Sequence, residues 1–161
     1  KFCSGECMAS FGLTEPNAGS DAGASKTTAV LKNGEWVING SKIFITNSTN
    51  PLSGVTIVQA VTGKRDGGKK EYSCILVPAG TPGLVQKSMK GKMMWRSSDT
   101  GELYFEDCRV PAENLLGNRG EGFHQMLSTL DRGRLSLTTD AESGWSPGTR
   151  SSDSRVSVSM T

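Results

Sequence analysis

Two Asn-Gly dipeptides, Asn33-Gly34 and Asn39-Gly40, punctuate the string TAVLK-NG-EWVI-NG-SKIFIT and limit what this chain can fold into. Asn-Gly accepts positive φ at both centres of a type I′ turn, which joins twisted antiparallel strands. The segments between the turns are rich in Val, Ile, Thr and aromatics, which suit a half-buried pleated surface. The pattern predicts two successive hairpins. Further strands follow in VTIVQAVT (55–62), YSCILVP (72–78) and ELYFEDCRVP (102–111), with the charged loop KRDGGKK (64–70) between the first two. Five or six closely spaced strands indicate a mainly β domain over 1–112, an antiparallel β-barrel or sandwich.

The period then changes. After a Gly-rich approach at 117–122, the apolar residues Phe123, Met126, Leu127, Leu130 and Leu137 recur at helical spacing, with Arg134 on the same face. This predicts one helix over roughly 121–138, inside a 113–139 segment that links to a further domain. A lone amphipathic helix cannot bury its stripe, so it belongs to a bundle that this chain does not supply. Residues 140–161 are Ser-rich without helical period and read as a disordered tail outside the fold.

Composition narrows function by exclusion. A net charge of +2 argues against a dedicated nucleic-acid binder. No apolar run is long enough to span a membrane as a helix, and no signal pattern opens the chain. The first residue is Lys1, which reads as a cut end. Cys3 and Cys7 could share a helix face, but no second close pair follows, and His124 is the sole histidine. A metal site is therefore not expected, and the thiols at 3, 7, 74 and 108 read as reduced.

The string FGLTEPNAGSDAG, Phe11 to Gly23, carries the densest chemistry. It is not a P-loop, because Ser20-Asp21 stands where Lys and Ser/Thr would be needed to reach phosphates and magnesium. The glycine spacing also fails the dinucleotide fingerprint. By composition alone it is a turn held by Asn17, Gly19 and Asp21.

The full string, however, resembles the first signature of the acyl-CoA dehydrogenase family position for position. WVINGSKIFITN, TPGLVQKSMKGKMMWRSSDTGELYFEDCRVPAENLLG and GEGFHQMLSTLDRGR resemble later family segments in the same order, so the resemblance covers about residues 5 to 139. It implies an N-terminal helical domain, a middle β-barrel and a C-terminal helical bundle, of which this chain would carry the barrel and the first bundle helix.

The activity implied is α,β-dehydrogenation of an acyl-CoA with FAD as hydride acceptor and, in most members, an electron-transfer flavoprotein as electron partner. Relatives are usually homo-oligomers, in the bacterial cytoplasm or the mitochondrial matrix. By the resemblance, Phe11, Leu13 and Thr14 would lie against the flavin. Gly19 and Ser20 would admit close main-chain approach, with Ser20 touching both FAD and CoA. Phe44, Ile45 and Thr46 would form the second flavin contact, where many members have Trp in place of Phe44. Asp131 and Arg134 would contact acyl-CoA, although three-residue spacing on a helix also suits an ordinary ion pair. Arg96, Ser98 and Asp99 would be structural, and Glu15 and Asp21 would fix the turn. Some branches place the catalytic Glu just before the arginine; here that residue is Gly133, so no catalytic residue is expected in this chain and the base would lie later in the bundle. An acyl-CoA oxidase-like enzyme and a non-catalytic β-barrel binding module are the alternatives.

Overall fold

The computed structural model describes residues 3–143 and divides into a first unit ending at Leu127 and a second beginning at Ser128. The first unit is built on eight strands: β1 (Met8–Gly12), β2 (Thr28–Lys32), β3 (Glu35–Thr46), β4 (Ser53–Lys64), β5 (Lys70–Pro78), β6 (Leu84–Ser88), β7 (Thr100–Pro111) and β8 (Leu115–Leu116). They form one sheet in the order β6-β7-β3-β2-β4-β5-β8, with β1 added to β4. A single apolar cluster joins Trp36 and Ile38 of β3, Val58 of β4, Ile75 of β5 and Leu103, Phe105 and Val110 of β7. Strands that distant in the sheet order share one core only if the sheet curls over itself. Among the described residues, the mainly β fold with one α-helix is as expected.

Three expectations need correction. The sheet is not purely antiparallel: β1 runs parallel to β4, and β2 meets β4 in parallel at Thr28 and Val61. The N-terminal half of β4 is covered by β1, and β2 pairs with the remainder at Val61. Asn33-Gly34 does make the expected hairpin, with φ of 52° and 81° and Lys32 opposite Glu35. Asn39-Gly40 does not turn the chain. Both edges of the segment before it are already occupied, by β2 and β7, so the strand cannot fold back and runs on as a bulge. Asn39 secures the bulge by donating to Asp107 Oδ1 at 3.0 Å and accepting from Asp107 N at 2.8 Å. Finally, residues 3–6 form turns and a bend, so Cys3 and Cys7 share no helix. All four cysteines are free.

The helix α1 spans Gly122–Ser143 and so runs into the stretch read as a tail; residues from 144 onward lie outside those described. Among the described residues no helix is long and apolar enough to cross a membrane, and no cluster of possible metal ligands occurs.

Candidate functional site

The Phe11–Gly23 string leaves β1 and folds into a tight turn. Glu15 and Ala18 exchange two backbone hydrogen bonds of 3.0 Å across Pro16 and Asn17. Asp21 accepts from Gly23 N at 3.1 Å and caps the short 3-10 turn that follows. Glu15 does more than close the turn. Its carboxylate, only 7% exposed, accepts from Ser25 Oγ, from Lys26 N at 2.7 Å and from Thr27 N at 3.0 Å. The fourth donor is Lys42 Nζ at 2.9 Å, a fully buried ammonium delivered by β3. Burial alone would raise the Glu15 pKa, but the hydrogen bonds from Lys42, Ser25 and Lys26 and the Lys42 charge push it down to about 2. Burial lowers the Lys42 pKa against the opposing pull of Glu15. The strings Thr14-Glu15-Pro16 and Ser41-Lys42-Ile43 therefore meet in one buried ion pair that sequence reading missed.

A second bulge shapes the far end of β3. Lys42 pairs with Leu103 and Ile45 with Gly101, so Ile43 and Phe44 together face Glu102 alone. Regular alternation would place Phe44 on the same face as buried Lys42. The extra residue reverses the phase, turning Ile45 inward and Phe44 outward. Phe44 is 61% exposed and adopts φ of 60°, a left-handed conformation rare for an aromatic residue. Such strain persists where surrounding structure imposes it, often at ligand sites.

Besides the Lys42 contacts, a backbone hydrogen bond joins the turn to the β3 bulge: Ile43 N donates to Thr14 O at 2.9 Å. Thr14 thus stands against the Ile43–Phe44 bulge. The Thr14, Ser20 and Thr46 hydroxyls have no hydrogen-bond partner among the described residues. A Cβ placed on Gly19 would meet nothing within 4 Å, so the turn is open on that side. Free hydroxyls, an exposed ring and open main chain suit the polar edge and face of a flavin. Leu13 differs from this pattern, being 7% exposed, so the loop offers its main chain more than its side chain. Phe11 lies within β1 opposite Ile57 and is partly buried.

Asp99 holds the loop after Thr46 by accepting from Thr49 N at 2.7 Å, Asn50 N at 3.1 Å and the Thr49 hydroxyl. Burial opposes its charge, yet these bonds lower its pKa. Arg96 donates to Lys92 O at 3.0 Å.

A cleft of about 590 Å³ opens at the end of the Phe11–Gly23 string, lined by Gly23, Arg65, Lys69, Lys70, Tyr72 and His124 among others. Lys70 Nζ donates to Ser25 O at 2.7 Å and the Tyr72 hydroxyl to Gly23 O, which ties the cleft wall to the Ser20 turn. Tyr72 and Phe123 supply an aromatic flank, their rings 5.7 Å apart. KRDGGKK was readable only as a charged loop; its concentration of cations was the available signal. Asp131 and Arg134 belong to the second unit, where they form an exposed 3.3 Å ion pair.

Comparison with known proteins matches residues 10–108 to the family described as acyl-CoA dehydrogenase, middle domain. A Bacillus subtilis protein named "Probable acyl-CoA dehydrogenase YngJ" is 52% identical over 136 residues, which cover 84% of this chain and 35% of that protein. The structure of butyryl-CoA dehydrogenase from Megasphaera elsdenii superposes with a TM-score of 0.72 at 42% identity, covering 80% of this chain and 33% of that one. A glutaryl-CoA dehydrogenase from Mycobacterium smegmatis, solved in complex with FADH2, gives a TM-score of 0.71 at 34% identity, with coverage of 80% and 31%. The chain spans about a third of the length of these relatives.

Proposed function

Because this chain belongs to the acyl-CoA dehydrogenase family, we propose that it forms the flavin-and-CoA wall of an FAD-dependent enzyme that dehydrogenates an acyl-CoA between its α and β carbons. The observation that carries this reading is the junction of the Thr14 turn with the Phe44 bulge through the 2.9 Å Ile43–Thr14 hydrogen bond. It sets Thr14, whose hydroxyl has no hydrogen-bond partner among the described residues, against the bulge that carries the exposed Phe44.

Bound FAD would supply the hydride acceptor for the β-hydrogen, while the α-proton would pass to a carboxylate, a group that position 133 cannot provide. Thr14 and Thr46 would donate toward the polar edge of the ring, stabilising negative charge that grows as it is reduced. Phe44 would cover the ring face. Ser20 would meet both ligands, because the adjoining cleft carries Arg65, Lys69 and Lys70, cations suited to the phosphates of CoA, with Tyr72 and Phe123 beside them. Asp131 and Arg134 would add a further acyl-CoA contact. Gly133 offers no proton-transfer group. An electron-transfer flavoprotein would reoxidise the cofactor, and the assembly would be homo-oligomeric.

Titrating the chain with FAD, and repeating it with Thr14→Val/Ser20→Ala, tests the reading. Binding is expected to weaken by roughly tenfold or more, the loss of two hydrogen bonds to the ligand. Unchanged affinity would overturn it. The chain alone should show no turnover of butyryl-CoA or octanoyl-CoA with an artificial acceptor, for want of a base; a measurable rate would contradict that assignment.

A further inference from the structure

Two of the three hydrogen bonds of the Lys42 ammonium go to the Thr14 turn, and the third goes to Ser25 just beyond it. The three acceptors are Glu15 Oε1 at 2.9 Å, Leu13 O at 3.1 Å and Ser25 Oγ at 3.3 Å. Leu13 O and Thr14 N–H are the two ends of one peptide group, whose resonance couples them. A cation on the oxygen draws electron density from the nitrogen and strengthens the N–H as a donor, the cooperative effect known from hydrogen-bond chains. The Thr14 carbonyl is taken by Ile43 N at 2.9 Å. Thr14 N–H and its hydroxyl are therefore the groups of this residue left without a partner among the described residues.

The partner carboxylate does not cancel the effect at Thr14. Glu15 spreads its charge over Ser25 Oγ, Lys26 N and Thr27 N as well as Lys42, and those three donors lie on the far side of the turn in sequence. Glu15 Oε1 is thus shared among Lys42, Ser25 Oγ and Thr27 N, whereas the Leu13 carbonyl takes the ammonium directly at 3.1 Å, so the cation is the charge in hydrogen-bond contact with the Leu13–Thr14 peptide. An apolar residue would fill this strand position at no desolvation cost, since a buried ion pair is often replaceable without loss of stability.

We propose that Lys42 is a positioning residue that polarises the Leu13–Thr14 peptide, so that the Thr14 N–H binds the reduced, more negative flavin more tightly than the oxidised one. This rests on the flavin reading above. It assigns a redox-tuning task to a residue that touches neither cofactor nor substrate.

The test uses the full chain loaded with FAD, comparing it with Glu15→Gln/Lys42→Met, which removes both charges and keeps the volume. The double variant is expected to melt close to the parent and to bind oxidised FAD comparably. It should lose about tenfold in preference for reduced over oxidised flavin, a midpoint drop of ~30 mV for a two-electron couple. The Thr14 amide resonance should also move in the flavin-free chain. A folded double variant with unchanged midpoint and unchanged Thr14 resonance would overturn the proposal and leave Lys42 a structural strut. Glu15→Gln/Lys42→Gln, which keeps a donor but no charge, is the second probe and should show the same loss; if neither variant folds, the pair serves folding and the proposal fails. A parent chain that takes up no FAD would instead refute the flavin reading itself, and this inference with it.

Discussion

The Glu15 carboxylate and the Lys42 ammonium lie 2.9 Å apart with both side chains buried, although 27 positions separate them in the chain. Removing one partner strands the other as an uncompensated charge. Lys42→Met alone should therefore cost about 3–5 kcal/mol of stability, measured by urea denaturation. The neutral double replacement should recover most of that. Equal losses in single and double variants would show that packing, not charge, governs the site.

The same pair sets an acid response. Glu15 keeps its charge in the fold down to about pH 2, against an ordinary value of 4.5. Its folded pKa is depressed, so its stabilising contribution is present above pH 4.5 and is lost progressively as pH falls toward 2, where the unfolded chain takes up the proton first. Denaturation midpoints should decline across that window, and Glu15→Gln should flatten the decline. An identical slope in the variant would place the acid sensitivity elsewhere.

Phe44 separates stability from binding. With φ of 60° and 61% exposure, its ring contributes little to the core and its backbone carries left-handed strain. Phe44→Gly should stabilise the chain by about 1 kcal/mol, since glycine adopts that conformation freely. FAD affinity should fall at the same time by roughly fivefold or more through loss of the stacked ring. Calorimetry and flavin titration read the two effects independently; destabilisation would mean the ring packs internally.

Gly40 tests the first bulge. Its φ is 144°, and a Cβ there would come within 2.6 Å of Thr27 Oγ1 and 2.7 Å of Thr27 Cα. Thr27 N in turn is one of the Glu15 donors, so pushing it aside disturbs the turn. Gly40→Ala should cost about 2 kcal/mol and weaken FAD binding with it. A variant as stable as the parent would show that the strand relaxes around the added carbon.

Local patterns made much of this fold readable. Asn33-Gly34 turns as expected because a type I′ turn is decided by two residues' φ preferences and by immediately adjoining strands. Asn39-Gly40 carries the same preference, yet it lies inside a strand whose two edges are claimed by β2 and β7. The strands β1, β6 and β8 escaped the reading. MASFG pairs in parallel with Ser53–Val58, over 40 residues on, and no local signal marks such a partner. The KIFIT segment shows the same division. Its β character is plain from composition, but simple alternation pairs Lys42 with Phe44 on one face, whereas the bulge buries the first and exposes the second.

What the amino-acid order determined alone was local: which stretches pleat, where the first hairpin turns, where helical period begins, and which short strings carry hydroxyls. The tertiary structure decided which of those groups stay free to bind. Thr14 is held by Ile43 and backed by Lys42 because two distant strands curl onto one core, and Phe44 is exposed because one extra residue shifts the pleat. Backbone preference is a property of neighbouring residues, whereas burial, charge pairing and bulge phase depend on the whole sheet closing around its core.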